Sequence, residues 1–159
     1  TEVLIDIARL THDAVKFFAN EPTMAMISYS NFGADNQGSP VKVHDAIAHL
    51  HANYPEIQID GEMQVNFALN KKLRDDTYPF NKVKGKDVNT LIFPNLSSAN
   101  SAYKLLLEMG VVETIGPIQM GLNKPIHFTD LESSTRDILN LTTVAVVDAI
   151  VQEQIDKAK

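Results

Sequence analysis

The chain has no cysteine among its 159 residues. That excludes a disulfide framework, thiolate zinc sites and a cysteine nucleophile, and it suits a cytoplasmic setting. Positive charge is also scarce: 14 Lys and Arg against 20 Asp and Glu leave a net charge of −6. Such a balance argues against nucleic acid or an anionic membrane surface as a partner. The one basic cluster, KKLRDD, carries its own two acids. No apolar run is long enough to span a bilayer. The opening TEVLIDIARL is helix-patterned and acidic, so no secretory signal is visible in it. What is present is enough apolar content, 44%, to bury the core of one domain or two small lobes.

Helical spacing of Val3, Ile7, Leu10, Ala14 and Phe17 predicts a helix over 1–19. The run 24–29 reads as a strand buried on both faces. After it, SNFGADNQG leads to Ser39-Pro40, read as an N-cap with proline at the first helical position. Val43, Ala46, Ile47 and Leu50 then fall on one helix face, and the helix stops near Tyr54-Pro55. Residues 57–60 read as a short strand ended by Gly61, and 63–73 as an irregular helix. A basic, glycine-containing loop over 81–87 precedes a strand at 88–93. A helix capped in the Ser97-Ser98 region follows and ends at Gly110. The stretch 112–119 contains a Gly-Pro break, 126–128 reads as a short apolar strand, and 134–157 is the final helix. Alternating strands and helices predict an α/β fold: a mostly parallel sheet with helices on both faces. The chain opens on a helix without an initiator Met, and is expected to be a section of something longer.

Several loops hold candidate chemistry. SYSNFGADNQGSP leaves the end of a strand, where α/β proteins bind ligands, but it is neither GK[ST]-terminated nor GxGxxG. DGEMQ sets Asp60, Glu62 and Gln64 at alternate positions, which suits acid–base work or magnesium, although a solvated strand end is the favoured reading. His44, His49 and His51 crowd one helix at spacings that do not make a metal pair, so solvated helix histidines are favoured. FPNLSSAN offers Asn95, Ser97, Ser98 and Asn100 either as caps or as donors into a strand-end crevice. Lys124 in GLNKP is either solvated or meets an anion. His127 has Asp130, Ser133 and Ser134 near it in sequence, which does not establish a triad. In LESSTRDIL, Ser134 and Asp137 have capping-box spacing ahead of an apolar run.

In series, AMISYSNFG, SPVKVHDAI, DGEMQVNFAL, KGKDVNTLIFPNLSSANSAYKLL, IGPIQMGLNKPIHF and DILNLTTVAVVDA resemble the C-terminal part of the phosphate acetyltransferase/butyryltransferase family. The SNFG, MQVNFAL and FPNLSSAN wordings look most like the domain at the C-terminus of bacterial NADP-dependent malic enzymes. The resemblance implies a two-lobed α/β fold, of which this chain is the C-terminal section; the terminal helices 1–19 and 134–157 are expected to pack on a second lobe. In the transferases, CoA and acyl phosphate meet in the cleft, served by a Ser-Arg pair in wording like DLSRGCS and an aspartate at the start of the last helix. Asp137 matches the aspartate, whereas Asp130 and Leu131 fall where Ser and Arg are expected. Leucine cannot hold a phosphate as a guanidinium does, and Asp130 repels it. The resemblance therefore implies a non-catalytic regulatory and assembly domain. It would bind an acetyl-CoA-like or acyl phosphate effector through Ser30, Asn31, Gly33, Asn95, Ser98, Asn100 and Lys124, within a homo-oligomer. It further implies no cofactor in this section, with NADP and a divalent metal (Mg or Mn) serving malate decarboxylation upstream. A working phosphate acyltransferase is the alternative.

Overall fold

The computed structural model describes residues 1–157, in two compact units, 1–104 and 105–159. The first unit is built on a three-stranded parallel sheet in the order β2-β1-β3: β1 Met24–Ile27, β2 Ile59–Met63 and β3 Thr90–Ile92. Helices α1 (Glu2–Phe17) and α2 (Ser39–Asn53) come before and after β1; the short α3 (Val65–Leu69) and α4 (Lys71–Thr77) come after β2. Helix α5 (Leu96–Glu108) follows β3, and α6 (Thr135–Lys157) lies wholly in the second unit.

Alternation along β1 divides the core. Met24 and Met26 join Ile5, Ala8, Val43, Ala46, Ile47 and Leu50 of α1 and α2 on one face of the sheet. Ala25 and Ile27 join Met63, Ala68 and Val83 on the other, with Phe32 and Phe67 packed against them. Both faces of the central strand are thus buried, as its unbroken apolar run predicts.

Strand β2 runs to Met63 instead of ending at Gly61. Met26 pairs with Gly61 and Ile27 with Met63, so Glu62 is the extra residue of a β-bulge. Gly61 is there for proximity, not for a turn. A Cβ at this position would lie 2.6 Å from the Met26 carbonyl oxygen, and φ is +145°. Helix α2 starts at Ser39 with Gly38 as its cap, one residue earlier than Ser39-Pro40 suggests, and Pro40 is buried. Helix α5 starts at Leu96, because the Asn95 side chain accepts from Ser98 N–H at 2.9 Å; the cap is Asn95, not Ser97 or Ser98. No strand forms at 126–128 or within 112–119 among the described residues. Three residues beside Pro125 supply few ladder bonds, and parallel pairing needs a neighbour to receive them.

A buried arginine organises the edge beyond α4. Arg74 is fully buried; its guanidinium donates to the carbonyls of Ala68 (3.2 Å), Val83 (3.2 Å) and Lys86 (2.7 Å) and to Asp75 Oδ1 (3.1 Å). Asp75 also accepts from Asn81 Nδ2 at 3.1 Å and Gly85 N–H at 2.7 Å. Of the acids that KKLRDD carries, Asp75 meets its arginine and Asp76 its Lys72, and the arginine also closes the loop ahead of β3.

Gly61→Ala is expected to destabilise the fold by about 3 kcal/mol, since the contact atom is backbone and cannot swing away. Arg74→Lys keeps the charge but not the fork, and is expected to cost roughly 3 kcal/mol by leaving buried carbonyls unpaired. Urea titrations check both, as a lowered midpoint at unchanged slope.

Candidate functional site in the strand-end loops

The loop after β1 folds back over the end of β2 and is tied to it at every turn. Glu62 is completely buried, and its Oε1 accepts from Gly33 N–H at 2.6 Å and from Ser30 Oγ–H at 3.1 Å. Ser30 Oγ in turn accepts from Asp35 N–H at 3.0 Å. The Asn31 side-chain oxygen accepts from Gln64 N–H at 2.8 Å, and Gln64 Nε2 returns a bond to the Tyr29 carbonyl at 2.7 Å. Tyr29 O–H donates to Asp35 Oδ2 at 2.7 Å; that bond and the adjacent negative charge hold the Tyr29 hydroxyl above its usual pKa. Glu62 Oε2 is buried without a hydrogen bond, and His44 Nδ1 stands 3.5 Å from it.

These contacts correct the reading of DGEMQ as a solvated strand end. Asp60 and Glu62 are 5% and 0% exposed, because the strand continues through them and the bulge turns them inward. Burial raises the Asp60 pKa, against the opposing pull of N–H donors from Lys82 (2.6 Å) and Gly61 (3.0 Å) and of the nearby His51. The histidines are likewise not all solvated. His44 and His49 are exposed, but His51 Nε2 meets the Ile59 carbonyl at 2.8 Å and lies 3.8 Å from Asp60 Oδ1. No group of three or more metal-ligating side chains occurs among the described residues. The role of Glu62 had only a weak signal in the sequence, a carboxylate between Gly61 and Met63 in the strand-end segment IDGEM. Arg74 had none.

The candidate residues fall in separate places. Ser30, Asn31 and Gly33 share the Glu62 loop, with Ser30 buried. Asn95 and Ser98 begin α5, where Ser98 Oγ–H donates to the Asn95 carbonyl at 2.9 Å and Asn100 is exposed. Asn95 also lines a mostly apolar cleft of about 570 Å³ with Leu4 and Ile7 of α1, Lys42 of α2 and Phe93. Lys124 belongs to the second unit and lines a hollow with Gln152 and Asp156 of α6.

The second unit also holds the loop before α6. Ser134 Oγ donates to Asp137 Oδ2 at 2.6 Å, Ser134 N–H donates to the same oxygen at 2.9 Å, and Asp137 N–H donates back to Ser134 Oγ at 3.2 Å. This reciprocal cap holds the Asp137 pKa below its ordinary value, through the Ser134 hydroxyl and N–H first and the Arg136 charge after them. Leu131 is fully exposed and Asp130 is exposed. Arg136 reaches away to Glu113 Oε2 at 2.8 Å. His127 lies 3.4 Å from Asp148 Oδ2 without hydrogen-bond geometry, so no described contact joins it to Ser133, Ser134 or Asp130.

Residues 1–146 match the family described as phosphate acetyl/butaryl transferase. The chain belongs to that family. It is 36% identical over 149 residues to the NADP-dependent malic enzyme of Salmonella typhimurium, covering 93% of this chain and 20% of that enzyme. It is 32% identical over 147 residues to the phosphate acetyltransferase of Bacillus subtilis, covering 92% of this chain and 45% of that one. A phosphotransacetylase from Streptococcus pyogenes superposes with a TM-score of 0.85 at 33% identity, over 92% of this chain and 44% of that structure. The chain thus spans a fifth of the malic enzyme and under half of the transferases it matches. The expected α/β fold and family are both shown. Among the described residues, no helix is long and apolar enough to cross a membrane.

Because the Asp137 pKa is depressed in the fold, its contribution to the start of α6 is present above the ordinary carboxylate value and is lost as pH falls through the lowered one. Protection of the first-turn amides of α6 against hydrogen exchange, taken relative to the intrinsic rate at each pH, is expected to fall in acid over that window. In Asp137→Asn that pH dependence is expected to flatten.

Proposed function

We propose that this chain is the acyltransferase-like domain of an NADP-dependent malic enzyme, serving effector binding and assembly but not acyl transfer. The observation that carries the reading is the loop before α6. Asp130 and Leu131 stand where the family resemblance expects Ser and Arg, and the nearby guanidinium of Arg136 is engaged with Glu113. Without a cation, acyl transfer to phosphate loses electrostatic stabilisation worth roughly 3 kcal/mol or more in the transition state. Oxidative decarboxylation of malate, with NADP and Mg or Mn, would then belong to an upstream part of the parent enzyme.

An acetyl-CoA-like or acyl phosphate effector has polar partners available in Ser30, Asn31, Gly33, Asn95, Ser98, Asn100 and Lys124. The cleft beside Asn95 supports this role, since its apolar walls and single Lys42 suit an acyl or pantetheine arm better than a free anion. Assembly is supported by the surface of the second unit. Helix α6 presents a broad apolar face through Ile138, Leu139, Val146, Val147 and Ile150, and all five are at least 43% exposed. A helix of that kind is normally covered. We assign that cover to other parts of a homo-oligomer.

Calorimetry on the full-length protein is expected to show acetyl-CoA binding, while CoA-dependent breakdown of acetyl phosphate stays at background. Turnover at ordinary transferase rates would overthrow the reading, and absent binding would reduce the role to assembly. Light scattering is expected to give a mass above the monomer.

A further inference from the structure

At the opposite end of the sheet from the strand-end loops, where the chain enters β2, lies a hollow of about 240 Å³. Its walls include Pro55, Ile57 and Gln58 ahead of the strand, His51 from α2, and Lys82 and Lys86 from the loop before β3. In a chain of net charge −6, this concavity is lined by two lysines and a histidine and by no carboxylate.

The lysines are uncommitted. Lys71 is paired with Asp87 and Lys72 with Asp76, whereas neither Lys82 nor Lys86 has a carboxylate partner among the described residues. Lys86 Nζ donates to the neutral Gln58 side chain at 2.5 Å. The nearest acid behind the hollow, Asp60, is buried, and its two oxygens accept the Gly61 and Lys82 backbone N–H groups. Asp60 also lies 3.8 Å from His51 and its charge acts on Lys82, so it offsets part of the hollow's positive charge; two ammonium groups against one carboxylate still leave the hollow net positive.

The loop that carries the lysines is also held in shape before any ligand arrives. Arg74 grips the carbonyls of Val83 and Lys86, Asp75 accepts from Gly85 N–H, Asp60 accepts from Lys82 N–H, and Val83 is fully buried. A loop fixed at five points pays little ordering entropy on binding. His51 Nε2–H donates to the Ile59 carbonyl, so Nδ1 of the neutral ring is an acceptor and His51 serves as a wall of the hollow, not as a donor to an anion.

We propose that Lys82 and Lys86, over the hollow walled by His51, form a binding site for a phosphate-class dianion, separate from the strand-end loops and from the effector cleft. Two ammonium groups over a small hollow suit a tetrahedral dianion, free or as a terminal ester.

The test is titration of the full chain with inorganic phosphate, followed by amide shifts of Lys82, Gly85 and Lys86, and repeated with AMP, which presents the same dianion as an ester. Saturable shifts confined to this loop and His51 are expected. Lys82→Gln/Lys86→Gln is expected to weaken binding at least about tenfold. Lys84→Gln, an exposed lysine on the same loop but outside the hollow, is expected to leave it unchanged. Tighter binding of AMP would identify an esterified ligand, and tighter binding of phosphate a free one; both support the site. Absent or non-saturable shifts, or equal weakening by Lys84→Gln, would overturn it.

Discussion

The carboxylate of Glu62 sets the architecture of the strand-end region. An ionisable group with no exposure is tolerable only if hydrogen bonds replace water, and Glu62 takes its bonds from Gly33 N–H and Ser30 Oγ–H. Both donors lie on the loop after β1, so that loop must return over β2. The return is completed by Phe32, whose N–H donates to the Glu62 carbonyl at 2.8 Å. Phe32 sits at φ +47°, an uncommon conformation for a side chain of its size. Its ring packs 4.7 Å from Tyr78 and 5.3 Å from Phe80, which offsets the local strain. One buried residue, through its carboxylate and its carbonyl, thus fixes the path of the loop and the position of Phe32 in the aromatic cluster.

Arg74 follows the same rule with the sign reversed. A buried guanidinium needs acceptors on several sides, and it finds them in three carbonyls and Asp75. The segment between α4 and β3, which has no regular secondary structure of its own, receives its shape from that demand. Polar burial, more than apolar area, decides the conformation of both loops that flank the sheet.

This explains which parts were legible in the sequence. The face Val43, Ala46, Ile47 and Leu50, the doubly buried run at β1, and the Ser134–Asp137 cap follow from periodicity and local hydrogen bonding, and all three are present. Gly61 looked like a stop because a strand-end glycine usually is one; its reason is a contact with Met26, thirty-five residues away in sequence. Asp60 and Glu62 read as solvated because charged residues usually are, and only the partners contributed by other segments make their burial, like that of Arg74, possible. His51 was misread for the same reason, since its acceptor belongs to β2. Local chemistry is readable from local sequence. Which charges go inside depends on where the chain returns.

The loop before α6 shows why retained residues can mislead. On the proposed correspondence, the resemblance sets Asp137 at the place of a transferase aspartate, yet here its carboxylate is engaged with Ser134 in starting a helix of 23 residues. A cap of that kind supplies a structural reason for the aspartate whether or not phosphate is ever bound. Its presence therefore weighs nothing for catalysis. Leu131 weighs more. It is fully exposed and, on the proposed correspondence with the transferase loop, stands where the chemistry needs a cation. An exposed leucine is unremarkable on a surface, but a cationic phosphate clamp tolerates very few substitutions. The cap and the clamp make separable demands on this loop; the demand of the cap is met, and the proposed reading is that the demand of the clamp is not.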